Sequence, residues 1–180
     1  YLGRIEYSKG IHVMIDAFKR VDCQKYELHV GGHQPYSLRR DKRYQKYVFR
    51  KGKGLNIIWH GRVPYENKED FISKFHVMVH PAIYLEVFGT SISESLSIGR
   101  PVLATRCGGA EMQIIDGYNG WLVNPNSSSE LTAKVREIIE DPEIIKKYSN
   151  NCCAPNFDEY ISKLSCLYKD RKGPFLRRLK

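Results

Sequence analysis

The chain has 180 residues, 42% hydrophobic, 12% aromatic and 27% charged, which is one domain's length with enough apolar content for a core and excludes general disorder. Its apolar runs are only a few residues long, which excludes a membrane-spanning helix. The formal charge of +9 is local: residues 39–53 carry eight Lys/Arg against Asp41, residues 163–180 carry seven against Asp170, and the remainder is net negative.

Residues 1–4 read as a short strand. Ile11, Met14, Ile15 and Phe18 then recur at i, i+3, i+4 and i+7, one face of a helix. A second strand over residues 26–30 ends in Gly31-Gly32, and the basic stretch from Pro35 to about Arg50 reads as a helix with Pro at its start. Residues 55–59 form a third strand, 66–75 a short helix, and 76–80 a fourth strand stopped by Pro81. Helix 91–98 and strands 101–105 and 120–123 follow. Ser127-Ser-Ser-Glu130 is a capping-box pattern opening a helix that carries Leu131, Val135, Ile138 and Ile139 on one face and ends at Asp141-Pro142. Strands alternating with helices predict an α/β fold, a doubly wound parallel sheet of about six strands of Rossmann-like type. In the order 3-2-1-4-5-6 the winding reverses between strands 1 and 4, and ligands bind at the carboxyl ends there.

The loop after strand 1, Gly3-Arg-Ile-Glu6-Tyr-Ser-Lys9-Gly10, delivers Arg4 and Lys9 to a helix start, a combination suited to a diphosphate. Read blandly, Arg4 pairs with Glu6 on the surface. The loop after strand 4 runs from Pro81 to Glu94, with Glu86 before the helix and Glu94 in its first turn. Ser91-Ile-Ser-Glu94 is itself a capping-box pattern, in which Glu94 would serve only the backbone. Alternatively, a first-turn carboxylate beside a phosphate-binding helix end accepts from ribose hydroxyls. Gly89 permits close backbone approach, and the free amides near Thr90 and Ser91 suit a phosphate. His80, before Pro81 at the strand end, is placed to touch a ligand, but reads first as a satisfied strand-end histidine. The five cysteines include no C-x-x-C pair, and the absence of D-x-D and of metal-ligand histidine spacing predicts no metal site.

Four stretches in order carry a family resemblance: Gly3-Arg4 with Lys9-Gly10; Glu86-Val-Phe88-Gly89 with Glu94; Ser97-Ile-Gly99-Arg-Pro101-Val-Leu-Ala104-Thr; and Gly108-Gly109-Ala-Glu111 followed by Gly117-Tyr-Asn-Gly120-Trp-Leu-Val123. Together they resemble the C-terminal, donor-binding domain of retaining GT-B glycosyltransferases of family four. The resemblance implies that Arg4 and Lys9 neutralise the diphosphate of a nucleotide-sugar, while Glu86 bonds hydroxyls of the transferred sugar and Glu94 the ribose. It further implies that Gly3, Phe88, Gly89 and Thr90 border the donor and that backbone at Gly61, Arg62 and Val63 meets the base. Gly31 would keep the floor beneath the ligand open. No cofactor or metal is implied, and the donor would be UDP- or GDP-linked.

The implied organisation is a donor-binding domain over residues 1–150 and a helical segment with a basic tail over 151–180. An N-terminal acceptor domain, absent from this chain, would complete the catalytic cleft. The expected location is cytoplasmic, with the tail available to an anionic membrane surface, and nucleic acid is not an expected partner. Val87 stands where the family often has Pro. Two rival readings remain: a GT-B-like sugar-nucleotide epimerase, and a non-catalytic module gripping RNA or anionic lipid through residues 39–53, where Tyr44, Tyr47 and Phe49 interleave the cations.

Overall fold

The computed structural model describes residues 1–33 and 39–153. The Pro35 start of the basic helix, Cys166, the predicted segment beyond residue 153 and the basic tail lie outside the described residues. Among the described residues five parallel strands form two sheets. In one, β1 (Leu28–Gly31) lies beside β2 (Ile57–Gly61), with Leu28 opposite Ile57 and Val30 opposite Trp59. In the other, β4 (Val102–Thr105) lies between β3 (Met78–His80) and β5 (Gly120–Val123), with Leu103 between Val79 and Trp121.

The strand predicted over residues 1–4 is a correction. Residues 1–3 meet β1 through a single parallel bridge, Leu2 opposite Gly31. Gly31 N donates to Tyr1 O at 2.9 Å and Gly3 N to Gly31 O at 3.0 Å, but Gly32 N turns to Gly61 O on β2 at 2.6 Å. Tyr1 N also donates to His29 O at 2.9 Å and Ile5 N to His33 O at 3.1 Å, so the segment runs alongside β1 but forms one bridge rather than a full strand. Spatial order still matches the two halves of the predicted doubly wound sheet. Among the described residues no ladder joins them across the centre; side-chain packing does, with Tyr1 and Val79 in one cluster and Leu2 and Met78 in the other.

Period-two alternation sends neighbouring strand residues into opposite layers. Leu28, Val30, Val79, Leu103, Trp121 and Val123 face one cluster, whereas Met78, Val102, Ala104 and Leu122 face the other. The first layer holds α1 (Ile11–Phe18), α2 (Arg39–Lys51), α5 (Ser128–Glu140) and α6 (Glu143–Ser149); the second holds α3 (Lys68–Ser73) and α4 (Thr90–Ser97). Ile11, Met14 and Ile15 of α1 are completely buried and Phe18 nearly so, as their helical spacing predicts. Each such side chain contributes about 2 kcal/mol of burial.

Helix ends show which local signals were sound. Ser127 caps α5 by accepting from Glu130 N at 3.3 Å, but the Glu130 carboxylate reaches Asn124 N at 2.8 Å, so only half the predicted capping box is built. The basic helix α2 turns Val48 and part of Tyr44 inward and leaves Lys42, Arg43, Lys46 and Arg50 in solvent. Tyr44 bonds His12 Nδ1 at 2.8 Å, and Phe49 packs on Trp59 with ring centroids 4.4 Å apart. These two rings are engaged with their own fold, which leaves little for stacking bases. Among the described residues no helix is long and apolar enough to cross a membrane.

Candidate functional site

The carboxyl ends of β1, β2 and β3 open onto a cleft of about 350 Å³. One wall is the loop carrying Gly3, Arg4 and Lys9, which folds into a short 3-10 turn over Tyr7–Lys9 and closes when Gly10 N donates to Tyr7 O at 3.1 Å. The opposite side is built by Glu86, Gly89 and the first turns of α4. These two loops are tied directly, with Ile83 N donating to Ser8 O at 2.9 Å. Arg62, Val63 and Lys68 close the end nearest β2 and α3.

Each glutamate of the cleft is paired with a lysine. Lys9 Nζ grips Glu86 Oε2 in a tight ion pair, and Lys68 Nζ holds Glu94 Oε1 at 2.7 Å. Glu94 Oε2 is buried with no hydrogen-bond partner. Arg4 binds Glu6 at 3.1 Å, as the bland reading had it, yet its side chain is 58% exposed and borders the cleft. His80 is buried at the end of β3, where Ser91 Oγ lies 3.2 Å from its Nδ1. Its Nε2 stands 3.6 Å from Glu86 Oε2 and makes no hydrogen bond.

His80 and Lys9 outweigh burial and hold the Glu86 carboxyl at about 2, against an ordinary 4.5. A depressed carboxylate stabilises the fold above the unfolded value and loses that contribution as pH falls through the folded one. Glu86→Gln should therefore flatten the pH dependence of the melting temperature between about pH 4.5 and 2. An unchanged slope in thermal melts across that window would show that the ion pair contributes no stability.

The loop bearing Glu86 rests on the segment after β4. Glu86 N donates to Cys107 O at 2.9 Å and Gly109 N to Glu86 O at 2.7 Å. A Cβ on Gly109 would lie 2.6 Å from the Phe88 backbone, so only glycine permits this approach. Gln113 Nε2 donates to Phe88 O and, at 3.0 Å, to Gly109 O, while its Oε1 accepts from Ser93. Glu111 accepts from Gly108 N at 3.1 Å and thereby organises the turn. The Gly108-Gly109-Ala-Glu111 motif is thus a bracket for the Glu86–Gly89 loop.

Of the predicted site residues, Gly3, Arg4, Lys9, Arg62, Val63, Glu86, Gly89, Thr90 and Glu94 border one cleft. Gly31, Gly61 and Phe88 do not. A Cβ on Gly31 would meet the Phe71 ring at 2.8 Å and Val63 at 2.9 Å, so this glycine serves packing beneath the cleft rather than an open floor. The capping-box reading of Ser91–Glu94 is also corrected. Helix α4 begins one residue earlier, at Thr90, with Gly89 as its N-cap and no side-chain cap. Ser91 is thereby freed for His80, and Glu94 for Lys68. His80, expected to be satisfied, has one ring nitrogen unpartnered, and Lys68, Gly32 and His33 border the cleft unpredicted.

Among the described residues no group of three or more His, Cys, Asp or Glu side chains is placed to hold a metal ion. A larger depression, about 890 Å³, lies at the amino ends of the strands and is bordered by core residues such as Val77, Leu103, Val135 and Ile138. It contains none of the predicted site residues. Charge convergence, rather than volume, marks the smaller cleft as the candidate site.

Comparison with known proteins shows the family. The uncharacterized glycosyltransferase MJ1178 of Methanocaldococcus jannaschii is 30% identical over 172 residues, which is 96% of this chain and 46% of that protein. A crystal structure of Anabaena Alr3699/HepE in complex with UDP and glucose superposes with a TM-score of 0.76 at 22% identity, covering 92% of this chain and 47% of that one. The C-terminal domain of a group 1 glycosyl transferase (LpcC) from Francisella tularensis superposes at 0.67 with 27% identity, over 83% and 78% of the respective chains. The chain spans about half the length of the curated relatives it matches. The family model for glycosyl transferases group 1 matches residues 1–152, and the chain belongs to that family.

Proposed function

We propose that the chain is the C-terminal, donor-binding domain of a retaining hexosyltransferase of glycosyltransferase family four, binding a UDP- or GDP-linked sugar for transfer to an acceptor hydroxyl. The observation that carries this reading is the convergence of Lys9, Arg4, the α4 N-terminus, Glu86 and Glu94 in one cleft at the carboxyl ends of the strands. Lys9 and Arg4 neutralise the diphosphate, helped by the Thr90 and Ser91 amides. Glu94, whose Oε2 is buried and unpartnered, accepts from a ribose hydroxyl, and Glu86 accepts from the transferred sugar. Backbone near Arg62 and Val63 meets the base. The bound UDP and glucose of the Anabaena relative support the ligand class.

Breaking the bond between the anomeric carbon and the phosphate oxygen leaves an oxocarbenium-like sugar and a diphosphate. The cations and the helix N-terminus stabilise the negative charge that develops on the leaving group. An acceptor hydroxyl then attacks from the same face. The acceptor is positioned by an N-terminal domain of the parent protein, so the 180-residue chain binds donor without turnover. The epimerase reading shares the cleft but does not use the Phe88-Gly89 motif with two spaced glutamates.

The test is calorimetric titration of the chain with UDP, GDP, ADP and CMP in the absence of metal. One-site binding of UDP or GDP is expected, and Glu94→Ala should weaken it about tenfold through the lost charge-assisted hydrogen bond. Binding of none of the four overturns the reading. Unchanged affinity with a lowered melting temperature would leave Glu94 a purely structural role.

A further inference from the structure

Lys9 holds Glu86 in the free protein, yet the donor site requires Lys9 for phosphate. Moving its ammonium to a diphosphate strips a half-buried carboxylate of its partner, and an uncompensated charge of that kind is costly. A second group already points at the same oxygen. His80 sits beside Glu86 with a side chain only 7% exposed, and its Nε2 is 3.6 Å from Glu86 Oε2. That distance is too long for a hydrogen bond, and Nε2 has no other partner. A buried ring nitrogen facing a carboxylate carries a proton, because a lone pair there would repel it. With that proton on Nε2, Nδ1 is left to accept from the Ser91 hydroxyl 3.2 Å away; in the imidazolium Nδ1 donates to Ser91 instead, and Nε2 keeps its proton.

Taken with the donor site proposed above, on which it rests, this geometry points to a hand-over. We propose that His80 is a positioning residue that takes Glu86 Oε2 by hydrogen bond when a bound diphosphate draws Lys9 away. Closing from 3.6 Å to an ordinary hydrogen bond needs less than about 1 Å of movement. The ring is pinned to Ser91 in the first turn of α4, the element whose N-terminus borders the same cleft. Phosphate arrival and capture of Glu86 therefore occur against one element.

Among the described residues, the other neighbours of Glu86 are committed elsewhere. Tyr1 and Cys107 are two further titratable groups within the field of Glu86. Tyr1 donates its phenol hydrogen to Arg4 O at 2.6 Å, and the Cys107 thiol points to Ala82 O at 3.1 Å. Arg4 is tied to Glu6 and mostly in solvent. His80 is the neighbour of Glu86 with an uncommitted donor, and the hand-over keeps the carboxylate fixed for the sugar while Lys9 serves the phosphate.

The experiment is calorimetric titration of the full 180-residue chain with UDP and GDP, and with uridine and guanosine, each variant being melted to check its fold. For the diphosphate that the wild type binds, His80→Ala should weaken affinity roughly tenfold, the consequence of stranding a charged group. His80→Gln, which restores an N–H donor, should stay within about threefold of wild type. Nucleoside affinity should not change, because a nucleoside leaves Lys9 on Glu86. In a Lys9→Ala background His80→Ala should add nothing, since no hand-over remains.

Equal losses for nucleoside and diphosphate, a persistent effect without Lys9, or no effect of His80→Ala would each overturn the hand-over and leave the donor site standing. A wild type that binds no nucleoside diphosphate removes the donor site and the hand-over together. Should His80→Ala not fold, Ser91→Ala unpins the same ring and should cost about threefold for the diphosphate alone; an equal cost for the nucleoside overturns the proposal.

Discussion

Lys9→Ala should lower affinity for the bound nucleoside diphosphate about a hundredfold and leave the matching nucleoside nearly untouched, since an ammonium on a diphosphate is among the strong, charge-assisted contacts. Arg4→Ala should cost less. The two cations sit on one loop, but the Lys9 side chain is 16% exposed whereas that of Arg4 is 58% exposed. Solvent screens the latter, and Arg4 already satisfies part of its charge on Glu6. Titration of wild type and both variants with diphosphate and nucleoside in moderate salt provides the check. Losses of similar size for diphosphate and nucleoside would mean that Lys9 supports the loop rather than the phosphates. A larger loss for Arg4 than for Lys9 would mean that burial does not govern the phosphate contacts.

Much of this cleft can be read from residue order alone, and the residues that cannot be read have a common cause. Apolar spacing identifies α1 and α5 because both helices lie on the sheet along one face, where a 3.6-residue period is compulsory. The loops after the first strand segment and β3 stand out because glycines, cations and carboxylates gather there without any apolar period. Lys68 is invisible by the same logic. It lies in Glu66-Asn-Lys-Glu-Asp70, which reads as a solvated helix start, and its ion pair with Glu94 spans 26 positions. Only the fold sets α3 against α4. A strand-end histidine such as His80 reads as satisfied from sequence; in the fold its second nitrogen has no hydrogen bond while Lys9 holds the neighbouring Glu86. The Ser91–Glu94 motif misleads for a local reason. Gly89, at φ 74°, starts α4 one residue early, which moves both side chains off their capping positions.

Gly10→Ala should be among the most damaging single-methyl changes at the described residues, destabilising the fold by about 3 kcal/mol or more and weakening nucleotide binding with it. Gly10 ends the 3-10 turn that carries Lys9 and is also the N-cap of α1, and it holds φ 66°, a left-handed conformation costly to any residue with a Cβ. A methyl there would stand 1.8 Å from Pro81 O, far inside contact distance and against backbone that cannot rotate away. Relief would require the first loop to separate from the loop after β3, and the hydrogen bond from Ile83 N to Ser8 O joins those two loops at the same place. Separation moves Lys9 away from Glu86 and widens the cleft where a diphosphate would lie. The expected result in urea denaturation is a lower midpoint with an unchanged slope, because the extent of buried surface is the same. Gly54→Ala is the internal control. Gly54 also has positive φ, 85°, but no atom lies within 4 Å of its would-be Cβ, so its cost is conformational alone, about 1 kcal/mol. Similar destabilisation in the two variants would show that the contact with Pro81 yields easily and that the two loops are not rigidly locked.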